Sequence, residues 1–446
     1  MRWQESTRRS CLCGSGSSSE PGPATDDPHR TTNQLVNELI RRQNSGQWTC
    51  NSAGNVATAL IQIHAEQLPV RLRVAPRYTC AYIVLRRGNQ PIAQFDVPVI
   101  EGEVDAAALA RGMFEAARVN RPYWLVREYL GQELPGRAAD ATIAICTRER
   151  PLDLRRALTA MRRLDPCALE VLVVDNAPGS SETRDVVAEF GEVRYVCEVR
   201  QGLDFARNRA LHEARGAIVA FSDDDATPER EWLGALVRPF EDQRVWCTTG
   251  LTLPAELETE AQEWFERYTP FSRGFRRRTF DSAHHDSLSV GAIGAGANMA
   301  VRRAVLTMLG GFDPALDAGT PSGSGGDHEL FGRILAAGHD IVYEPAAVSW
   351  HRHRRTWPEL RDTLRGYGTG VSALMTRRVF RDHEPAALHH GLRWFLRDHA
   401  RTVWRALRRS PGAIPLNLIC AEVAGWLVGP VAYARSVRAL RHGGPR

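Results

Sequence analysis

From residue 139 the chain alternates between two apolar patterns. Short, nearly continuous runs, "ATIAIC" (141–146), "LEVLVVD" (169–175), "VRYVCE" (193–198) and "GAIVAFSDDD" (216–225), read as strands buried on both faces. Between them lie stretches with apolar residues three and four apart, "PLDLRRALTAMRRL" (151–164), "SETRDVVAEF" (181–190), "FARNRALHEA" (205–214) and "PEREWLGALVRPF" (228–240). These read as amphipathic helices, two of them opening with proline in the first turn. Strand then helix, repeated over short connections, predicts an α/β fold: a mostly parallel sheet with helices on both faces. Ligands of such sheets bind outside the carboxyl ends of the strands.

The flanks differ. Within 33–136, "TCAYIVLRRGNQPIAQFDVPV" (79–99) predicts a hairpin turning at Arg87-Gly88-Asn89-Gln90, and "DAAALARGMFEAARV" (105–119) a helix. This small α+β module is expected to be an accessory for binding or packing. Residues 1–32, rich in Gly, Ser and Pro and without an apolar core, read as a disordered tail and not a signal peptide. Residues 361–446 read as helical and Arg-rich. Inside them, "AIPLNLICAEVAGWLVGPVAYA" (413–434) approaches the ~20 residues that span a bilayer. Glu422, Asn417 and two prolines argue against spanning, and basic runs flank the segment. A helix at the membrane surface and a buried helix both remain open. The chain is thus expected to divide into 1–32, 33–136, an α/β unit 137–360 and 361–446.

Composition narrows this picture. The 446 residues are 43% hydrophobic, as in a soluble globular protein, and the net charge is only +5. All 57 basic residues are arginine, interspersed with acids, so no nucleic-acid partner is expected. Nine cysteines without a CxxC pair suggest reduced thiols and a cytoplasmic protein, at the inner face of the cell membrane if the C-terminal helices touch lipid.

The chemistry gathers where "IVAFS" runs into Asp223, Asp224 and Asp225. Adjacent carboxylates at a strand end need a cation or several hydrogen bonds to stay ionised. A hard divalent ion with oxygen ligands is the simplest partner. An N-cap before "PE" would need only one of them or Thr227.

In order and spacing, "ATIAICTRERP", "EVLVVDNAP", "GLDFARNRAL", "AIVAFSDDDATPE", "GANMAVRR", "GGFD" and "GSGGDHELFGRILAAGHDIVYEPAAVSWHRHR" resemble the family 2 glycosyltransferases of GT-A fold, over residues 139–355. The resemblance implies an inverting enzyme that moves a sugar from a nucleoside-diphosphate sugar to an acceptor hydroxyl on a glycan, glycolipid or small molecule. It implies a divalent metal, Mn²⁺ or Mg²⁺, with Asp225 as principal ligand and Asp223 facing the ribose or sharing the metal, Asp224 being less defined. Thr147, Arg148, Asp175, Arg207 and Asn208 would border the nucleotide. Asp327 would be the general base; many members carry Glu-Asp there, whereas this chain has Gly326-Asp327. A helix N-cap is the plainer reading of Asp327.

Glu329 and Asn298 are expected to line the acceptor pocket. In "EWFERYTPFSRGFRRRTF", Trp264 is expected either on an acceptor platform or packed inward on an amphipathic helix. His351 and His353 follow a strand, and His351 is a further candidate metal ligand, imidazole favouring Mn²⁺ over Mg²⁺. Arg352, Arg354 and Arg355 are candidates for holding a diphosphate. Among rivals, Asp223-x-Asp225-x-Thr227 matches haloacid-dehalogenase-type phosphatases, but the chain has no lysine and the element is not on the first strand. A non-catalytic nucleotide- or carbohydrate-binding protein is the other alternative. Nucleotidyl transfer would want a Gly-rich loop, and "CTRERP" has no glycine.

Overall fold

The computed structural model describes residues 57–67, 71–129, 140–165, 167–410 and 412–442. The expected tail over 1–32 and the junction at 136/137 lie outside the described residues.

The strands β1 (Thr58–His64), β2 (Cys80–Arg87), β3 (Gln90–Ile100) and β4 (Glu103–Val104) form one sheet in that order. β2 and β3 are the expected antiparallel hairpin, with Gly88 at φ 53° in the turn, a conformation glycine adopts without steric cost. The near-continuous apolar run of β2 has a two-sided explanation. Ala81, Ile83 and Leu85 pack toward the helix Ala106–Tyr129, while Tyr82 and Val84 join the core of the larger sheet. The small sheet is therefore built onto the main body through one face of β2.

The larger sheet comprises β5 (Ala141–Thr147), β6 (Glu170–Asn176), β7 (Val193–Glu198), β8 (Ile218–Asp223), β9 (Ala226–Pro228), β10 (Val245–Pro254), β11 (Arg278–Phe280), β12 (Asn298–Arg302) and β13 (Asp340–His351). Its order is β11-β13-β10-β12-β8-β5-β6-β7, with β9 also on β13. β8, β5, β6 and β7 are mutually parallel, as the alternating pattern predicts, and β13 is parallel to β10. β12 runs antiparallel between β8 and β10. Leu154, Leu158, Val186, Trp232 and Leu236 cover one face; Ala206, Ala210, Leu330, Phe331 and Ile334 cover the other. The α/β class with helices on both faces is thus observed.

One predicted helix is different. Over 228–240 the chain places Pro228 in β9, opposite Ser349 of β13, and the helix is only Trp232–Val237, followed by a 3-10 turn Arg238–Glu241. Pairing with β13 overrides the preference of proline for a first helical turn, and Pro239 lacks the N–H that would continue the helix.

Three long helices close the chain: Trp357–Phe380, Ala386–Leu407 and Leu416–Arg441. The last is long and apolar enough, by length and composition, to cross a membrane. It also packs backbone to backbone on the first. A Cβ at Gly425 would lie 2.0 Å from the Arg365 carbonyl oxygen, and one at Gly368 2.0 Å from that of Glu422. Small residues let two helices approach this closely.

Cys80 is disulfide-bonded, against the expectation of reduced thiols, while Cys146, Cys167, Cys197, Cys247 and Cys420 are free. A cystine is as apolar as a buried thiol, so the hydrophobic pattern could not tell them apart.

Candidate active site

Parallel strands deliver their carboxyl ends to one edge of the sheet, and the polar residues gather there. β8 ends at Asp223, half-buried, and the chain turns through Asp224 and Asp225, both buried, into β9. Because β9 pairs with the end of β13, Ala226 lies opposite His351. That pairing puts a histidine 125 residues away in sequence (351 − 226) beside the acidic run. Ligand atoms of Asp223, Asp225 and His351 all lie within 4.8 Å of one another.

The three aspartates differ in their partners. Asp225 Oδ1 is 3.1 Å from His351 Nε2, and Oδ2 is 3.3 Å from Arg150 Nη1 and 3.4 Å from Arg354 Nη1. Burial opposes its ionisation, but His351, Arg354 and Arg150 outweigh burial and hold the carboxyl below the usual range. Asp223 is pushed up by burial and by the Asp225 charge. Asp224 accepts a 2.7 Å hydrogen bond from Thr147 Oγ1 and pairs with Arg150 at 3.1 Å. Burial and Asp225 push it up to about 6 against the pull of Arg150. His351 is raised: burial lowers it, and Asp225 more than compensates.

Two carboxylates and one imidazole suit a borderline divalent ion such as Mn²⁺. The fit has a further mark, since the buried Asp225 Oδ1 already faces His351 Nε2 at 3.1 Å, so the groups that would share a cation converge on one point. A buried carboxylate oxygen is costly unless an opposite charge neutralises it.

Other expected site residues are placed as follows. Asp175, at the end of β6, is fully buried; Tyr195 donates to Oδ2 at 2.9 Å and Oδ1 has no partner. Thr147 is committed to Asp224, and Arg148 is exposed. Arg207 is buried, donating to Asp204 at 3.0 Å and Asp317 at 2.6 Å. Both Asp327 and Asp223 lie close enough to act on its charge. Asn208 exchanges both hydrogen bonds with the Phe312 backbone, bracing a loop.

Asp327 sits in the first turn of the helix Gly326–Ala336, and its Oδ2 accepts from the Gly296 N–H at 2.7 Å. Burial raises its pKa, but His328, Arg207 and two backbone N–H groups prevail, so the carboxyl lies below its ordinary value. Gly326 has a physical reason. A Cβ there would lie 1.9 Å from Asp204 Oδ2, so an Asp204 carboxylate occupies the space a side chain would need.

Two expected acceptor residues are engaged inside the fold instead. Asn298 accepts from Trp232 Nε1 at 2.8 Å and donates to the carbonyls of Leu251 and Ala347. Glu329 is fully buried, bridged to Arg333 at 2.5 Å and Arg377 at 2.8 Å. A residue at helical spacing next to a motif points inward as readily as outward. Trp264 follows its packing alternative, lying half-buried against Leu360, Leu364 and Leu418 under Arg267. Sequence reasoning did not single out Arg150, which faces Asp224 and Asp225; its signal was the "TRERP" end of the first strand of the large sheet.

The site is thus a strand-edge cluster of carboxylates, arginines and a histidine on a mostly parallel α/β sheet. Residues 142–307 match the family model described as glycosyl transferase family 2. The chain is 29% identical over 246 residues to the pre-mycofactocin glycosyltransferase of Mycobacterium tuberculosis (strain ATCC 25618 / H37Rv), covering 53% of this chain and 48% of that protein. It is 28% identical over 261 residues to the probable glycosyltransferase YdaM of Bacillus subtilis (strain 168), covering 53% and 55%. The chain spans about half the length of these relatives. Among solved structures, the mannosyltransferase PcManGT from Pyrobaculum calidifontis in complex with GDP-Man and Mn²⁺ aligns at 19% identity and a TM-score of 0.42, over 76% of this chain and 87% of that one.

Proposed function

We propose that the protein is a metal-dependent, inverting glycosyltransferase that moves a sugar from a nucleoside-diphosphate donor to an acceptor hydroxyl. The observation that carries this reading is the convergence of Asp223, Asp225 and His351 at the ends of β8 and β13, on a domain of the family 2 type. These three residues would hold a divalent cation. When bound, such an ion neutralises charge that develops on a departing diphosphate. Arg150 and Arg354, which compensate the carboxylates in this structure, would then be released to donate charge-assisted bonds to phosphate oxygens. The unpartnered Oδ1 of Asp175 offers an acceptor to a ribose hydroxyl or base N–H.

Asp327, ionised at neutral pH, accepts the proton of the acceptor hydroxyl as its oxygen attacks the anomeric carbon. A single in-line displacement inverts that centre. Asp327→Asn should retain donor binding and lose sugar transfer by about 10²–10⁴-fold, the range of a general base. Transfer at the wild-type rate by this variant, measured as nucleotide release with a panel of acceptors, would remove the base assignment.

We infer in addition a peripheral contact with an anionic lipid surface. On the helix Ala386–Leu407, Leu388, Leu392, Leu396, Trp404 and Leu407 are exposed along one stripe. Arg393, Arg397, Arg401 and Arg405 are exposed at four-residue spacing beside that stripe. That is the pattern of a helix lying in a membrane interface.

A further inference from the structure

The polar contacts of His351 continue past the acidic cluster. Its Nε2 faces Asp225, and its Nδ1 lies 3.3 Å from Nδ1 of His353. Nε2 of His353 lies 3.1 Å from Glu266 Oε2, and the Tyr82 hydroxyl donates to Glu266 Oε1 at 3.2 Å. All four side chains are buried, at 7%, 2%, 4% and 1% exposure for His351, His353, Glu266 and Tyr82. Phe265 lies against the His353 ring at 4.2 Å between centroids, and Phe271 against His351 at 5.0 Å. The chain joins three elements: the end of β13, the helix Glu260–Tyr268, and β2 of the N-terminal sheet.

We propose that Glu266 and Tyr82 are positioning residues of the cation site, acting through His353 to keep the Nε2 lone pair of His351 bare and aimed between Asp223 and Asp225. The inference rests on the cation-binding reading above. Its logic is one of tautomers. An imidazole that ligates through Nε2 carries its proton on Nδ1. His351 then donates to His353, whose Nδ1 must be bare and whose own proton therefore sits on Nε2. That N–H needs an acceptor in a dry interior, and Glu266 is the acceptor, its second oxygen occupied by Tyr82. Run the other way, the chain would leave a proton on His351 Nε2, facing the carboxylates and unable to ligate. A bound cation requires a bare Nε2 on His351, and the Tyr82 hydroxyl donating to Oε1 favours an accepting carboxylate at Glu266, so together they select the first polarity. Outer partners of this kind typically contribute 10–100-fold in metal affinity. On this account the N-terminal sheet belongs to the donor site, because Tyr82 of β2 donates to Glu266.

The test is Mn²⁺ affinity of the full chain, read from the free-ion electron paramagnetic resonance signal, with circular dichroism to verify folding. Glu266→Met, which fills the space without an acceptor, should weaken Mn²⁺ binding about 10–100-fold. Glu266→Gln, which keeps an oxygen for His353, should restore affinity to within a few-fold of wild type. Tyr82→Phe, which removes only a hydroxyl, should cost about two- to tenfold. If wild type binds Mn²⁺ in a manner lost in Asp225→Ala, but Glu266→Met or a folded Tyr82→Phe binds as tightly as wild type, the relay is overturned and the cation site stands. If wild type binds no Mn²⁺, the cation reading fails and the relay falls with it.

Discussion

Each carboxylate of the 223–225 run has different neighbours, and the neighbours separate their roles. Asp224 turns back to Thr147 and Arg150 and fastens the turn to the end of β5. Asp223 and Asp225 face His351. A charge count of the sequence could not have divided them this way, because the division comes from β9 doubling back onto β13. Glu329 makes the same point for an expected pocket residue. Its carboxylate neutralises Arg333 and Arg377 in the interior, so Glu329→Ala should destabilise the fold by about 3–5 kcal/mol, the cost of stranding buried charge. Urea unfolding followed by circular dichroism checks this; a change below 1 kcal/mol would mean the pair is not held as described. Asp327, Asp225 and Asp175 were legible as candidates because each closes or follows a strand, or opens a helix, in a recognisable run. Arg150 and Glu266 were not, since nothing local distinguishes them from solvated side chains.

At the scale of elements, periodicity located the four mutually parallel strands β5, β6, β7 and β8 and most of their helices, because burial on both faces imposes a plain apolar run, but not β10, which pairs parallel to β13. It missed β9, whose three residues carry no period of their own and are set by pairing with β13. It also could not show that Glu170 ties strands together. Glu170 accepts from Thr142 Oγ1 at 2.8 Å, the Arg215 N–H at 2.6 Å and Arg194 Nε at 3.1 Å. Burial raises its pKa, and these donors lower it further than burial raises it. A carboxyl whose folded pKa is depressed stabilises the fold above its unfolded value, about 4.3, and loses that contribution as pH falls through the folded value. Thermal melts of wild type and Glu170→Gln between pH 7 and pH 3 should therefore converge at the acid end. A constant gap across the range would contradict the account. In the C-terminal region, Gly425→Leu has no room against the Arg365 carbonyl and should cost about 1–3 kcal/mol or more, read as a lowered melting temperature.

For the whole molecule, three bodies meet around the strand edge. The N-terminal sheet reaches the domain through Tyr82 and through an ion pair of Arg86 with Glu229 at 2.7 Å, while the C-terminal helices pack beside the helix Glu260–Tyr268. Changes of composition along the sequence suggest a division of the chain, whereas these joints emerge only from tertiary contacts. If the helix Ala386–Leu407 lies on lipid, the protein should co-sediment with vesicles containing phosphatidylglycerol and not with purely zwitterionic ones, with binding reduced by salt. Leu392→Glu with Leu396→Glu should abolish it. Equal sedimentation of the double variant would show that this stripe is not the contact.

The most direct measurement of the central claim is calorimetric titration of UDP, GDP, dTDP and CDP into the protein with Mn²⁺, with Mg²⁺ and with chelator. The account predicts binding of one nucleotide that requires the metal and disappears in Asp225→Ala. Binding unchanged by chelator or by Asp225→Ala, or no binding of any nucleotide, would contradict a metal-dependent donor site at Asp223, Asp225 and His351.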